Sequence, residues 1–238
     1  MSGRKESPEA APSGGPPYLF TAIGDSLTRG VGDETKSGGY VGYVQARLSR
    51  LHEAPEVQTV NLGKSGLNSG QLLERLASGE AAEALGGASW IAVSIGGNDL
   101  LKIIGDHILN LTYEPFRGEL ELFGQRTREA MRLIRGYNSE APVFVLGLFN
   151  PFRGFFADLP EAERILEDWN GVLREAAECG DAVFVPIADL FAGREAELVS
   201  DDGLHPNGSG YALIGERIFS RIVPMREAAA GAGAGGQT

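Results

Sequence analysis

The sequence predicts an α/β fold in which helices cover the faces of a parallel sheet. Three observations point to it. Short β-branched or aromatic runs precede longer segments of helical periodicity, and this order recurs along the chain. Three polar motifs follow three successive strand candidates, so they meet at the carboxyl edge, where open parallel sheets bind ligands. No internal repeat breaks the alternation, which argues against two large domains.

The first strand candidate is Tyr18 to Ile23, which places Ser26 just beyond a strand end. A helix near Gly39 to His52 carries Val41, Val44, Leu48 and Leu51 on one stripe, with Arg47 and Arg50 off it. Val57 to Leu62 is the second strand, after which Ser69 can cap a helix with Leu72, Leu73 and Leu76. Trp90 to Ile95 is the third. The stretch Leu100 to Pro115, with His107 and Tyr113, reads as a loop or short-helix excursion beside the site. A helix over Glu119 to Tyr137 presents Phe123, Thr127, Ala130 and Ile134, and leads to the fourth strand, Val143 to Leu148. A helix near Glu161 to Glu178 presents Ala162, Leu166, Trp169, Leu173 and Ala176. Val183 to Ile187 is the fifth strand, its Pro186 indicating an edge or a strand end. The last helix, roughly Ser209 to Val223, repeats Tyr211, Ile214, Ile218 and Ile222.

With 238 residues, 42% of them hydrophobic, the chain can bury one sizeable core. One domain is therefore expected over residues 18–225. Residues 1–17, rich in Pro, Gly, Ser, Ala and Glu, and the Ala/Gly-rich tail 226–238 have little to dock and are expected to be disordered. A formal charge of −11 without a Lys/Arg-rich run excludes nucleic acid as a partner, since phosphate binding needs clustered cations. No apolar stretch approaches a membrane span or the core of a secretory signal, so the chain reads as soluble. Cytoplasmic location and export with a leader or anchor removed both stay open. The single cysteine, Cys179, excludes an intrachain disulfide and a thiolate metal cluster. Three histidines without His-Glu-x-x-His spacing do not suggest zinc, and neither Gly-x-Gly-x-x-Gly nor a P-loop is present. No cofactor and no metal are expected, and the oligomeric state is not read from sequence.

Four short segments supply the parts for hydrolysing an ester: Gly24-Asp25-Ser26-Leu27, Ser65-Gly66, Gly96-Gly97-Asn98-Asp99 and Asp202-Gly203-Leu204-His205-Pro206-Asn207. A serine hydroxyl attacks well only if a base takes its proton, and His205 is the candidate base. Asp202, three residues earlier, can orient the ring. The tetrahedral intermediate needs fixed donors for its oxyanion. The backbone N–H groups of Ser26 and Gly66 and the side-chain amide of Asn98 are the candidates. Asp25 and Asp99 have another job open to them, holding their loops by accepting backbone N–H bonds. Taken alone, Ser26 reads equally as a helix cap and His205 as a structural histidine; the four motifs together favour catalysis. His52 falls at a helix end, and His107 is a candidate for contact with substrate.

These blocks resemble those of the GDSL esterase/lipase family within the SGNH hydrolase superfamily, over nearly the whole region from Tyr18 to Val223. In that family the Gly-Asp-Ser-Leu block carries the nucleophile, matching Ser26. The second-block glycine matches Gly66, the third-block asparagine matches Asn98, and the Asp-x-x-His block matches Asp202 and His205. The resemblance implies a three-layer αβα sandwich, flavodoxin-like, with a five-stranded parallel sheet, a water-accessible site and an acyl-serine intermediate. Residues 27–34, 38–43, 97–102, 110–116 and 147–152 are similar to the branch containing spore-germination lipases of Bacillus and relatives, which suggests phospholipid or other acyl-ester substrates.

Phe149, Phe152, Phe155, Phe156 and Leu159 follow the fourth strand. They can line an acyl pocket, form a small lid in transient contact with a membrane surface, or pack over the edge of the core. The leading function is a serine esterase or lipase acting on a small-molecule or lipid acyl ester, with short to medium acyl chains cleaved fastest. Thioesterase, lysophospholipase and carbohydrate O-deacetylase activities use the same triad. A noncatalytic lipid-binding protein would have no physical need for Ser26, Asn98, Asp202 and His205 together.

Overall fold

The computed structural model describes residues 17–51, 56–107, 112–151 and 162–234, with side chains described up to residue 225. Five strands form one parallel sheet: β1 Tyr18–Gly24, β2 Val57–Gly63, β3 Trp90–Ser94, β4 Val143–Leu146 and β5 Val183–Val185, in the order β2-β1-β3-β4-β5. Between and after them run α1 Ser26–Arg29, α2 Gly39–Leu48, α3 Ser69–Ala77, α4 Ala82–Gly86, α5 Gly97–His107, α6 Tyr113–Tyr137, α7 Ala162–Cys179, α8 Ala188–Phe191, α9 Glu195–Leu198 and α10 Gly208–Ala234. This is the three-layer αβα arrangement that the family resemblance implied.

The two-residue period of a strand builds the layers, because neighbouring side chains leave the sheet on opposite faces. Ile91, Val93, Val143 and Val145 join Leu72, Leu76, Phe123, Ile134, Trp169 and Leu173 in one apolar cluster, under α3 to α7. Trp90, Ala92, Phe144 and Leu146 point the other way, to Tyr40, Val44, Leu48, Phe191, Ile214 and Ile218 under α2, α8, α9 and α10. A sheet buried on both faces needs near-continuous apolar strands. β3 and β4 are accordingly buried at every position. Pro186 falls directly after β5, an edge strand, as its missing N–H requires.

Five elements differ from their sequence-based outlines in ways that bear on the site or the chain ends. β4 stops at Leu146 because the Asn170 side chain on α7 takes over from a neighbouring strand. Its Oδ1 accepts the Leu148 N–H at 2.7 Å and its Nδ2 donates to the Leu148 carbonyl at 3.0 Å. The stretch after Asn98 is the eleven-residue helix α5, and Tyr113 already begins α6. α3 is capped by Asn68, whose side-chain Oδ1 accepts the Gln71 N–H while the Gln71 side-chain Oε1 accepts the Asn68 N–H. Ser69 is the first residue inside that helix. α10 continues past Val223 to Ala234, so the boundary drawn at 226 falls inside it. Pro224 withholds a single N–H, and Ala228 to Ala230 favour helical backbone. Among the described residues no helix is long and apolar enough to cross a membrane.

Gly24 ends β1 with φ +152°, and a Cβ there would lie 2.2 Å from the Ser94 carbonyl oxygen. Gly24→Ala is expected to cost about 2–4 kcal/mol of unfolding free energy through strain and crowding. Urea denaturation reads this directly, and a loss under about 0.5 kcal/mol would mean that the strand end yields.

Candidate active site

Parallel pairing aligns three strand ends. Gly24 of β1 lies opposite Gly63 of β2 and opposite Ser94 of β3. The turns that follow, carrying Ser26, Gly66 and Asn98, therefore leave the sheet side by side at its carboxyl edge.

The first turn is short because both of its ends are capped. Asp25 is extended, and its Oδ1 accepts the Leu27 N–H at 3.0 Å, starting α1 at Ser26. Gly30, in the left-handed region at φ 83°, closes it by donating to the Ser26 and Leu27 carbonyls. Ser26 thus stands at the head of a single helical turn. Asp25 itself is 5% exposed, and burial raises its carboxyl pKa against the opposing pull of the Ser94 hydroxyl and the Leu27 N–H.

His205 arrives 179 residues later on a closed loop. Val199 bridges Pro206, the Ser200 N–H donates to the His205 carbonyl at 2.8 Å, and the Gly203 N–H donates to the Ser200 carbonyl at 3.0 Å. Inside this loop Asp202 Oδ1 accepts the N–H groups of Leu204 and His205 and the Ser200 hydroxyl, at 2.8 to 2.9 Å. Its Oδ2 lies 2.7 Å from His205 Nδ1, and His205 Nε2 lies 2.8 Å from Ser26 Oγ. Partial burial disfavours the Asp202 carboxylate, but the His205 N–H and ring, the Leu204 N–H and the Ser200 hydroxyl outweigh it. They hold the carboxyl well below the usual carboxylate range. The loop is tied to the segment after Ser26 by the Tyr211 hydroxyl, which donates to the Val31 carbonyl at 2.6 Å, and by Glu34, which accepts the Gly208 N–H at 2.9 Å.

Asn98 opens the first turn of α5 and lines the same cavity as Ser26 and His205. One of its amide hydrogens goes to the Leu67 carbonyl at 2.9 Å, which fixes the amide plane and leaves a second hydrogen to donate. Gly66 sits one residue before that carbonyl, exposed, with φ 79° and open space around it. Among the described residues its N–H has no acceptor, and neither has that of Ser26. Asp99 turns away and clamps α3, its oxygens accepting the Ser69 N–H at 2.9 Å and hydroxyl at 2.6 Å. The loop-holding role open to both aspartates is therefore filled.

A cavity of about 140 Å³ opens beside Ser26. Leu100, Leu101 and Ile104 of α5, Phe116 of α6, and Ile165 and Leu166 of α7 line it, together with Leu148 and Phe149. Phe149 also stacks on Phe191, with ring centroids 4.0 Å apart. Phe152, Phe155, Phe156 and Leu159 lie outside the described residues, as does His52. His107 is exposed at the end of α5 and lines a separate polar depression with Asp99, Lys102 and Arg126, away from Ser26. Sequence reading missed the cavity-lining residues of α5, although the apolar pairs Leu100-Leu101 and Ile103-Ile104, three apart, carry a helical signal.

Residues 22–213 match the model of the GDSL-like Lipase/Acylhydrolase family. The chain belongs to that family. This GDSL hydrolase is 33% identical over 207 residues to the uncharacterized protein YpmR of Bacillus subtilis, covering 86% of this chain and 81% of that protein. It is 29% identical over 210 residues to the spore germination lipase LipC of Bacillus licheniformis, covering 84% and 93%. Among solved structures, the lipase Lip_vut3 from a goat rumen metagenome superposes with a TM-score of 0.75 at 25% identity, over 85% of this chain and 96% of that one. Family and geometry together make this a serine hydrolase of carboxylic esters, with a Ser/His/Asp arrangement of the SGNH kind.

Because the folded state depresses the Asp202 pKa, the stabilisation it brings is complete above the ordinary aspartate value and is lost as pH falls through the native one. The acid-side decline of Tm below about pH 4 is expected to be shallower in Asp202→Asn, which has one proton fewer to take up. Scanning calorimetry from neutral to strongly acid pH tests this, and curves of equal steepness would contradict it.

Proposed function

We propose that this hydrolase cleaves esters of short to medium acyl chains, with Ser26 as nucleophile, His205 as general base and acid, and Asp202 as the group that orients the imidazole. The observation that carries this reading is the 2.8 Å contact between Ser26 Oγ and His205 Nε2 at the mouth of an apolar cavity. Ser26 Oγ attacks the carbonyl carbon while its proton passes to His205 Nε2. Charge on the carbonyl oxygen is met by the N–H groups of Ser26 and Gly66 and the free amide hydrogen of Asn98. The imidazolium then protonates the departing alkoxide. Water attacks the acyl-serine, again giving its proton to His205, and the acid leaves with Ser26 restored.

Size supports the chain length. A cavity of about 150 Å³ takes up one benzene, six carbons. The 140 Å³ beside Ser26 therefore suits an acyl tail of comparable bulk. The apolar lining and the lipase names of two relatives support acyl esters, lipid-derived ones included, over acetyl groups on a carbohydrate.

On a panel of p-nitrophenyl esters, kcat/KM is expected to peak near butyrate to octanoate and to fall for acetate and palmitate; a maximum on palmitate would overturn the chain-length reading. Asn98→Ala is expected to lower kcat by about 10²–10³-fold with little change in KM, the effect of losing one oxyanion donor. A serine-reactive phosphonate should label the wild type and leave Ser26→Ala untouched.

A further inference from the structure

Behind Ser26 a row of polar side chains runs into the protein interior. Asp25, Ser94, Thr28 and Tyr40 are 5%, 2%, 0% and 0% exposed. The Ser94 hydroxyl donates to Asp25 Oδ1 at 2.6 Å, Thr28 Oγ1 lies 2.8 Å from Ser94 Oγ, and the Tyr40 hydroxyl lies 2.6 Å from Thr28 Oγ1. Each hydroxyl has one proton, and this fixes the direction of the row. Ser94 spends its proton on Asp25, so the bond to Thr28 needs the Thr28 proton, and the bond from Thr28 to Tyr40 needs the Tyr40 proton. Hydrogen bonds therefore run one way, from Tyr40 on α2 through Thr28 on α1 and Ser94 at the end of β3 to Asp25.

Packing alone does not account for these hydroxyls. Valine in place of Thr28 and phenylalanine in place of Tyr40 would fill nearly the same space, and buried polar groups are tolerated only while each stays bonded. The location of the row is informative. β1 and β3 cease to pair at Gly24 and Ser94, and beyond that point the Asp25 N–H reaches Ser94 only loosely, at 3.3 Å to the carbonyl and 3.4 Å to the hydroxyl. Among the described residues, the 2.6 Å bond from Ser94 to Asp25 is a short link between the turn bearing Ser26 and the end of β3, from which the chain runs on to Asn98.

We propose that Ser94, Thr28 and Tyr40 are positioning residues for ester hydrolysis: their one-way row of hydrogen bonds holds the Asp25 carboxyl and so sets the Ser26 turn at a fixed distance from the Asn98 amide. This rests on the oxyanion roles of Ser26 and Asn98 given above. The row touches no reacting atom. It acts through the spacing of the two donors, and an error of about 1 Å in such spacing costs on the order of a hundredfold in rate.

Kinetics on p-nitrophenyl butyrate, with thermal unfolding as a check on folding, test the inference in Thr28→Val, Thr28→Ser and Tyr40→Phe. Thr28→Val is expected to lower kcat by about tenfold or more, with KM within about twofold, since misplaced donors fail the transition state more than the substrate. Thr28→Ser restores the hydroxyl and is expected to recover most of the rate. Tyr40→Phe keeps the ring and removes only the last donor, so a smaller fall of about threefold is expected, and it decides the matter if Thr28→Val does not fold. In the Asn98→Ala background the Thr28→Val factor is expected to shrink to below about twofold, because the donor being positioned is gone. Wild-type kcat in folded Tyr40→Phe and Thr28→Val, a loss expressed in KM, or an undiminished factor without Asn98 would each overturn the proposal. Failure of the site reading looks different: Ser26→Ala or Asn98→Ala would then keep the wild-type kcat.

Discussion

Parallel pairing of β1 with both β2 and β3 sets Gly63, Gly24 and Ser94 abreast, and nearly everything about the site follows from that alignment. A parallel sheet ends all its strands at the same edge, so the turns leaving it open toward one another. Two of these ends are glycines for steric reasons. A Cβ on Gly24 would run into Ser94, and one on Gly63 would lie 2.3 Å from the Arg29 amide nitrogen. The close approach of β3 to Gly24 and of α1 to Gly63 thus admits little but hydrogen at either position.

The sheet also separates two duties. Helices α5, α6 and α7, on one face, wall the apolar cavity beside Ser26, whereas His205 comes from the loop before α10, on the other face. Ser26 lies where the two layers meet above the strand ends. The apolar cavity can therefore vary in shape with the residues of one layer while His205 and Asp202 stay fixed by the other. The ties from Tyr211 to Val31 and from Glu34 to Gly208 keep the histidine loop anchored to the segment that follows Ser26.

Three aspartates show how surroundings divide one side chain among several tasks. Asp202 is partly exposed and receives two backbone N–H bonds, a hydroxyl and the imidazole, so it stays charged and can face a histidine that gains a proton. Asp25 and Asp99 are largely buried, and burial lifts the pKa of both. Each of the two joins neighbouring segments: Asp25 links the Ser26 turn to β3, and Asp99 links α5 to α3. Carboxylates next to catalytic blocks are in this molecule partly structural fasteners.

The strand order of apolar runs, the face of each long helix and the pairing of Asp202 with His205 were legible in the sequence because each depends on near neighbours in the chain. Val41, Val44 and Leu48, or Tyr211, Ile214, Ile218 and Ile222, declare a buried stripe by spacing alone, and both stripes are buried. The family blocks brought Ser26, Gly66 and Asn98 into view together. Tertiary structure alone decided what depends on distant contacts. β4 ends early because an asparagine on α7 satisfies its backbone, and the full helix α5 stands where a loop or short helix was expected because its apolar side meets the cavity and α6. The row from Tyr40 to Asp25 was invisible in one dimension, since its members lie on α2, on β3 and on α1 with its cap, and hydroxyls carry no periodic signal. Hydrophobic patterning is written residue by residue along the chain, but the partner of a buried hydroxyl exists only once the sheet has brought the two together.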